Sequence, residues 1–206
     1  GWLRFQRLYD VARSVLRTEE DVRRRVLEAA IDDAADGSVW TEIQVDPSGY
    51  AALFGGITAF TDLVIDAVRE ASERAGIGIG LVVAANRTRH PMDARTLARL
   101  AAQYTGRGVL GFGLSNDERR GDTAQFGPAF AIAERAGLAL VPHGGELLGP
   151  AHVTQCLDHL HPNRLGHGVR AAENAAVLDR LAASGVALEV CPTSNVSLGV
   201  FSTFEE

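Results

Sequence analysis

Val141-Pro142-His143-Gly144-Gly145-Glu146, Arg164-Leu165-Gly166-His167-Gly168 and Glu189-Val190-Cys191-Pro192-Thr193-Ser194-Asn195 decide how this chain is read. Each string follows or contains a short apolar run. The first two set an ionisable residue just past that run, and the third sets hydroxyl and amide groups there. His143, His167 and Cys191 recur at 24-residue intervals, which is about one strand, one helix and two short loops. A βα repeat of that period places polar groups at one end of a parallel sheet. In a closed βα barrel that end is the active-site face.

The same alternation runs outward from these strings. Apolar periodicity predicts strands at 39–45, 79–85, 109–114, 138–142, 164–167 and 186–190. Between them it predicts helices at 19–36, 58–75, 94–104, 126–136, 150–160 and 173–184, after a helix-like opening from Trp2 to Leu16. Strands alternating with helices mean a parallel sheet. A doubly wound sheet and a barrel share that pattern, and two features favour the barrel. No Gly-x-Gly-x-x-Gly loop follows an early strand. Polar residues end most strands (Asp46, Asn86, Asn116, His143, His167, Ser194) rather than clustering at one switch point. The expectation is a partial (β/α)8 barrel in a single domain over 1–206, with six of eight strands present. One strand is expected before residue 1 and one after residue 206, and no helix is expected after the last strand. The chain thus reads as a fragment.

Composition narrows the class. A chain of 206 residues with 46% hydrophobic content can bury one sizeable core. A net charge of −6 without clustered Lys or Arg disfavours nucleic acid. The two cysteines, Cys156 and Cys191, lack metal-knuckle spacing and make no disulfide scaffold, which suits a reducing cytoplasm. The apolar runs are far shorter than the roughly 20 residues of a membrane-spanning helix.

With these motifs in place, the sequence resembles the adenosine deaminase family of zinc-dependent purine deaminases. That family carries His-Ala-Gly-Glu after its fifth barrel strand, Arg-Ile/Val-Gly-His-Gly after the sixth and Cys-Pro-x-Ser-Asn/Ser after the seventh. The three opening strings match these in order and spacing. Gly113-Leu114-Ser115-Asn116-Asp117-Glu118 matches the fourth-strand motif. Tyr9-Asp10, Val15 to Asp21 and Glu42 to Pro47 also fit, so the likeness spans essentially the whole chain.

The resemblance implies one zinc ion per intact chain and a purine nucleoside as the small-molecule substrate. It implies hydrolytic deamination of adenosine or deoxyadenosine. The alternatives are adenine or aminodeoxyfutalosine as substrate, or a barrel that keeps the fold without metal or turnover. The family's first strand supplies a His-x-His zinc pair and its eighth an Asp-Asp pair. Neither pair is in this sequence, and of the expected zinc ligands it holds His143. Imidazole suits zinc, and zinc draws the pKa of water from about 15.7 towards 7. The ring nitrogen beside the attacked carbon must gain a proton, and Glu146, three residues past His143, is the expected acid. His167 is the expected base for the attacking water.

Asn116 stands where the family has a glycine whose backbone N–H contacts the purine. A substrate contact and a plain turn residue are both open there. Ser194 and Asn195 are candidates to support the metal site from behind. Asp117 and Glu118 read as an exposed loop or helix start, Cys191 as a small buried residue, and His152, His159 and His161 as solvated helix surface.

Overall fold

A computed structural model describes residues 1–205. Two helices, α1 (Trp2–Arg13) and α2 (Glu19–Ala35), precede six strand–helix units. The strands are β1 (Trp40–Val45), β2 (Gly78–Asn86), β3 (Val109–Ser115), β4 (Ala139–Gly144), β5 (Arg164–His167) and β6 (Ala187–Glu189). Each is followed by a helix: α3 (Ile57–Ala75), α4 (Pro91–Gln103), α5 (Gly127–Arg135), α6 (Pro150–Leu160), α7 (Ala175–Ser184) and α8 (Pro192–Leu198). All five neighbouring strand pairs are parallel, in the order β1-β2-β3-β4-β5-β6.

The expected strands are all present, within a residue or two of their predicted ends. One expectation fails: a helix, α8, does follow the last strand. Pro192 at its first turn is preorganised for helix and lacks the N–H that would go unpaired there, and the helix stops at Gly199 in the left-handed region. Its seven residues are too few to show a clear apolar period in the sequence.

Alternation along each strand separates two faces. Leu81, Val83 and Ala85 of β2, Phe112 and Leu114 of β3, Leu140 of β4 and Leu165 of β5 join one buried cluster with residues of α2 to α7. Phe112 meets Phe130 of α5 edge-on at 5.2 Å between centroids. Burying each such ring contributes roughly 2–3 kcal/mol. The intervening residues, Val82, Ala84, Val141 and His143 among them, face the other way. α2 starts at a capping box in which Thr18 and Asp21 bond each other's backbone N–H groups, and its Val22, Val26 and Ala30 pack into the same cluster.

The second face is concave. Arg164 on β5 reaches Glu42 on β1 at 2.5 Å and Glu189 on β6 at 3.3 Å. In a flat sheet strands four positions apart lie about 19 Å from each other, beyond the reach of an Arg–Glu pair. The contact therefore requires the sheet to curl, as in a barrel. Six strands form a curled half-barrel with helices α3 to α7 on its convex side, and every strand's C-terminal end lies at one rim. Among the described residues no helix is long and apolar enough to cross a membrane.

Candidate active site

At that rim, β4 and β5 bring two histidines together. His143 pairs in register with Gly166, and Gly144 with His167. The two rings lie 5.1 Å apart at 54°. Gly166 eases this approach: a Cβ there would stand 3.1 Å from Cγ and Nδ1 of the His143 ring and push it back by a few tenths of an ångström. His167 itself has φ +70°, a left-handed conformation that costs a non-glycine residue on the order of 1–3 kcal/mol and collects at functional sites.

The turn after β4 then aims Glu146 at this pair. Gly145 has φ +75°, and any Cβ there would strike Val153 of α6 at 2.4 Å, so the chain hugs α6 as it reverses. Gly145 O accepts from Arg170 N at 3.0 Å, and Leu147 O accepts from the Arg170 guanidinium at 3.0 Å. Glu146 is 4% exposed, and its Oε1 lies 3.5 Å from Nε2 of His167.

Burial without compensating partners shifts all three groups towards their neutral forms. It raises the Glu146 carboxyl to about 7, helped by the negative charge of Glu118. It lowers His143 to about 4, with the His167 and Arg87 charges adding to the effect. It also lowers His167. Near neutral pH the site thus holds a carboxyl that keeps its proton in about half of the molecules, beside two neutral imidazoles. Asn195, 2% exposed on α8, supports the charged form of His167. Neither atom of its amide attains good hydrogen-bond geometry with a partner, and burial outweighs its effect on His167.

A neutral imidazole presents a lone pair, and the buried Nδ1 of His143 makes no well-aligned hydrogen bond, although the Leu114 backbone lies near enough to favour its charged form. Both features fit a zinc ligand. Among the described residues no group of three or more His, Cys, Asp or Glu could hold a metal by itself. The residues present therefore fit one ligand's share of a zinc site, together with a carboxyl and a second imidazole beside it.

The other expected residues divide. Asn116 directly follows β3 with φ +81°, and its side chain accepts from the Asp117 N–H at 2.8 Å. That amide is engaged in a local turn. Ser194 is half-buried on α8, one residue from Asn195. Three readings are corrected. Glu118 is not an exposed loop residue: it is 2% exposed and accepts from the backbone N–H groups of Glu146, Leu147 and Leu148. His152 is not solvated: it is 3% exposed, on the inward side of α6. His159 and His161 are exposed as expected. Cys191 is exposed rather than buried, because it caps α8 outside the core. Sequence reasoning also missed Arg87, 1% exposed just past β2, whose guanidinium donates to His143 O at 2.6 Å. The signal was available: like His143, it is an ionisable residue at the C-terminal end of a predicted strand.

The sequence model of the adenosine deaminase family matches residues 1–206. The chain belongs to the adenosine deaminase family. A relative from Streptomyces virginiae, provisionally named an adenosine/adenine deaminase, is 58% identical over all 206 residues, which span 61% of that protein. The crystal structure of an adenine deaminase from Arthrobacter aurescens superposes with a TM-score of 0.90 at 29% identity, covering 99% of this chain and 62% of that one. An amidohydrolase from Burkholderia ambifaria, solved with bound zinc, superposes with a TM-score of 0.81 at 26% identity, covering 89% of this chain and 51% of that one. The chain thus spans about three fifths of the Streptomyces relative's length.

Proposed function

We propose that the protein carrying this chain is a zinc-dependent hydrolase that replaces the 6-amino group of adenine or its nucleoside by hydroxyl, releasing ammonia. The names of the similar proteins favour adenine alongside adenosine, so the nucleoside expected from sequence shares the proposal with the free base. The observation that carries this reading is the Glu146–His167 pair. Two titratable groups 3.5 Å apart are pushed in opposite directions by the same buried pocket, which is how acid and base roles are assigned.

His143 would hold the zinc ion together with ligands from outside this chain. Zinc supplies the Lewis acidity that makes water a nucleophile near neutral pH, and the zinc-bound Burkholderia structure supports its presence. His167, neutral, accepts a proton from the attacking water. Glu146, protonated, gives its proton to the ring nitrogen next to the attacked carbon as that ring loses aromaticity. Near-complete burial of Glu146 keeps bulk water from competing for that proton. Asn116 lines the purine's approach at the end of β3, and Ser194 and Asn195 back the site from α8.

The test is direct. The full-length protein, loaded with zinc, is incubated with adenine, adenosine and deoxyadenosine while ammonia is measured. Turnover of at least one, lost on chelation and restored by zinc, is expected. Failure with all three would sink the reading.

A further inference from the structure

Behind the acid lies a second set of buried charges that the reaction itself does not use. Glu118, at the turn after β3, points its carboxylate at the turn after β4. Its Oε2 accepts from the N–H groups of Glu146 (3.1 Å), Leu147 (3.0 Å) and Leu148 (3.0 Å), and its Oε1 lies 3.2 Å from the Glu146 nitrogen. His152 Nδ1 stands 3.3 Å from the same Oε2, without the alignment of a full hydrogen bond. On its far side, His152 Nε2 lies 3.2 Å from Nη1 of Arg87 and 3.1 Å from Oγ1 of Thr123. Arginine only donates, so Nε2 accepts and the imidazole proton sits at Nδ1, towards Glu118. The other arm of Arg87 holds the carbonyl of His143. One relay therefore touches the backbone of both His143 and Glu146.

We propose that Glu118 is a positioning residue for the acid: its buried carboxylate locks the 146–148 turn so that Glu146 faces His167. The charge here is held by donors rather than by solvent: His152 and the backbone N–H groups of the 146–148 turn outweigh the desolvation of the Glu118 carboxylate, so the same bonds that keep it ionised fix that turn. The charge has a second effect, because it opposes ionisation of Glu146. The other groups facing Glu146 are His167 from β5 and Cys191 before α8, with Arg170 bonded to the neighbouring Leu147 carbonyl. Among the described residues, Glu118 is the neighbouring charge that moves the Glu146 carboxyl, and it acts in the same direction as burial.

This inference rests on the deaminase reading above, and its test is built to fail separately from it. In the full-length, zinc-loaded protein, Glu118→Ala removes both the hydrogen bonds and the charge. Glu118→Gln keeps a carbonyl where Oε2 stands and removes only the charge. For whichever of adenine and adenosine the wild type turns over, Glu118→Ala should lower kcat roughly 10²-fold, the scale of a misplaced catalytic group. KM should change far less and zinc should stay bound. Glu118→Gln should lower plateau kcat by no more than about tenfold, the scale of one ordinary hydrogen bond, while the alkaline limb of its pH profile moves to lower pH.

An infrared titration reads the same assignment without turnover. The carbonyl band of a protonated carboxylic acid near neutral pH should vanish in Glu146→Gln, and in Glu118→Gln it should disappear at lower pH than in the wild type. Wild-type kcat per zinc-loaded molecule in Glu118→Ala would overturn the positioning role. An unshifted band and an unshifted alkaline limb in Glu118→Gln would overturn the effect of the Glu118 charge on the acid. If Glu118→Ala does not fold, Glu118→Ser, too short to reach the 146–148 N–H groups, decides the positioning role by the same kcat. A wild type that deaminates no purine would sink the proposed function, yet leave the infrared arm able to judge Glu118.

Discussion

The turns after β3 and β4 each bury a glutamate, and the two behave in opposite ways. Burial alone pushes the Glu118 carboxyl up, but His152 and the backbone N–H groups of the neighbouring turn outweigh it and hold it down at about 2. Among the described residues Glu146 receives no backbone N–H, only the His167 ring at 3.5 Å, and burial with the adjacent Glu118 charge raises it to about 7. Depth is nearly equal, at 2% and 4% exposure. Burial therefore does not decide whether a carboxyl is an anion or an acid. The supply of hydrogen-bond donors to the charged form does.

The heaviest blow to the β4 side of this pair is His143→Ala. Losing one of the protein ligands should release zinc and abolish deamination, checked by metal content of the purified full-length variant. Zinc retained at full occupancy would remove His143 from the ligand set. Next comes Glu146→Gln, which keeps the shape and loses the proton. Deamination should fall by at least the roughly 10²-fold typical of a lost general acid with zinc still bound. Near-normal turnover would equate the two glutamates and break the comparison. His167→Ala should likewise keep zinc and lose most turnover.

The contrast also makes a prediction about stability. The Glu118 carboxyl titrates below its ordinary 4.5 in the folded protein. Its contribution is complete above pH 4.5 and is lost as pH falls towards 2. The Glu146 carboxyl titrates above 4.5, so its contribution is complete below pH 4.5 and is lost as pH rises through 7. Each swing is on the order of 3 kcal/mol. Urea midpoints against pH should rise on the acid side and decline towards neutrality. Glu118→Gln should flatten the first slope and Glu146→Gln the second. A single variant that flattened both would show that the two groups titrate as one coupled pair.

The smallest effect is expected away from both turns. Arg164 pairs with Glu42 and Glu189 across the concave face while partly exposed. Arg164→Gln should cost about 1 kcal/mol, seen as a small drop in melting temperature, and should leave the Glu146 pH dependence where it is. A shift of that dependence would mean that sheet curvature, and not the local donors, sets the contrast.

The sequence by itself determined the parallel βα order, the six strands, and the three motif turns that carry His143, Glu146 and His167. Those features are local. Apolar period, a glycine pair and a residue just past a strand are all written within a few neighbouring positions. Tertiary structure decided what the local pattern could not hold. Glu118 reads like a loop residue because its partners lie 28 to 30 positions further along the chain. His152 and Arg87 meet across 65 positions, and the curl of the sheet shows itself where Arg164 finds Glu42 at a separation of 122. A charge can be buried only where distant segments bring donors to it, so its depth and its protonation state are properties of the assembled fold.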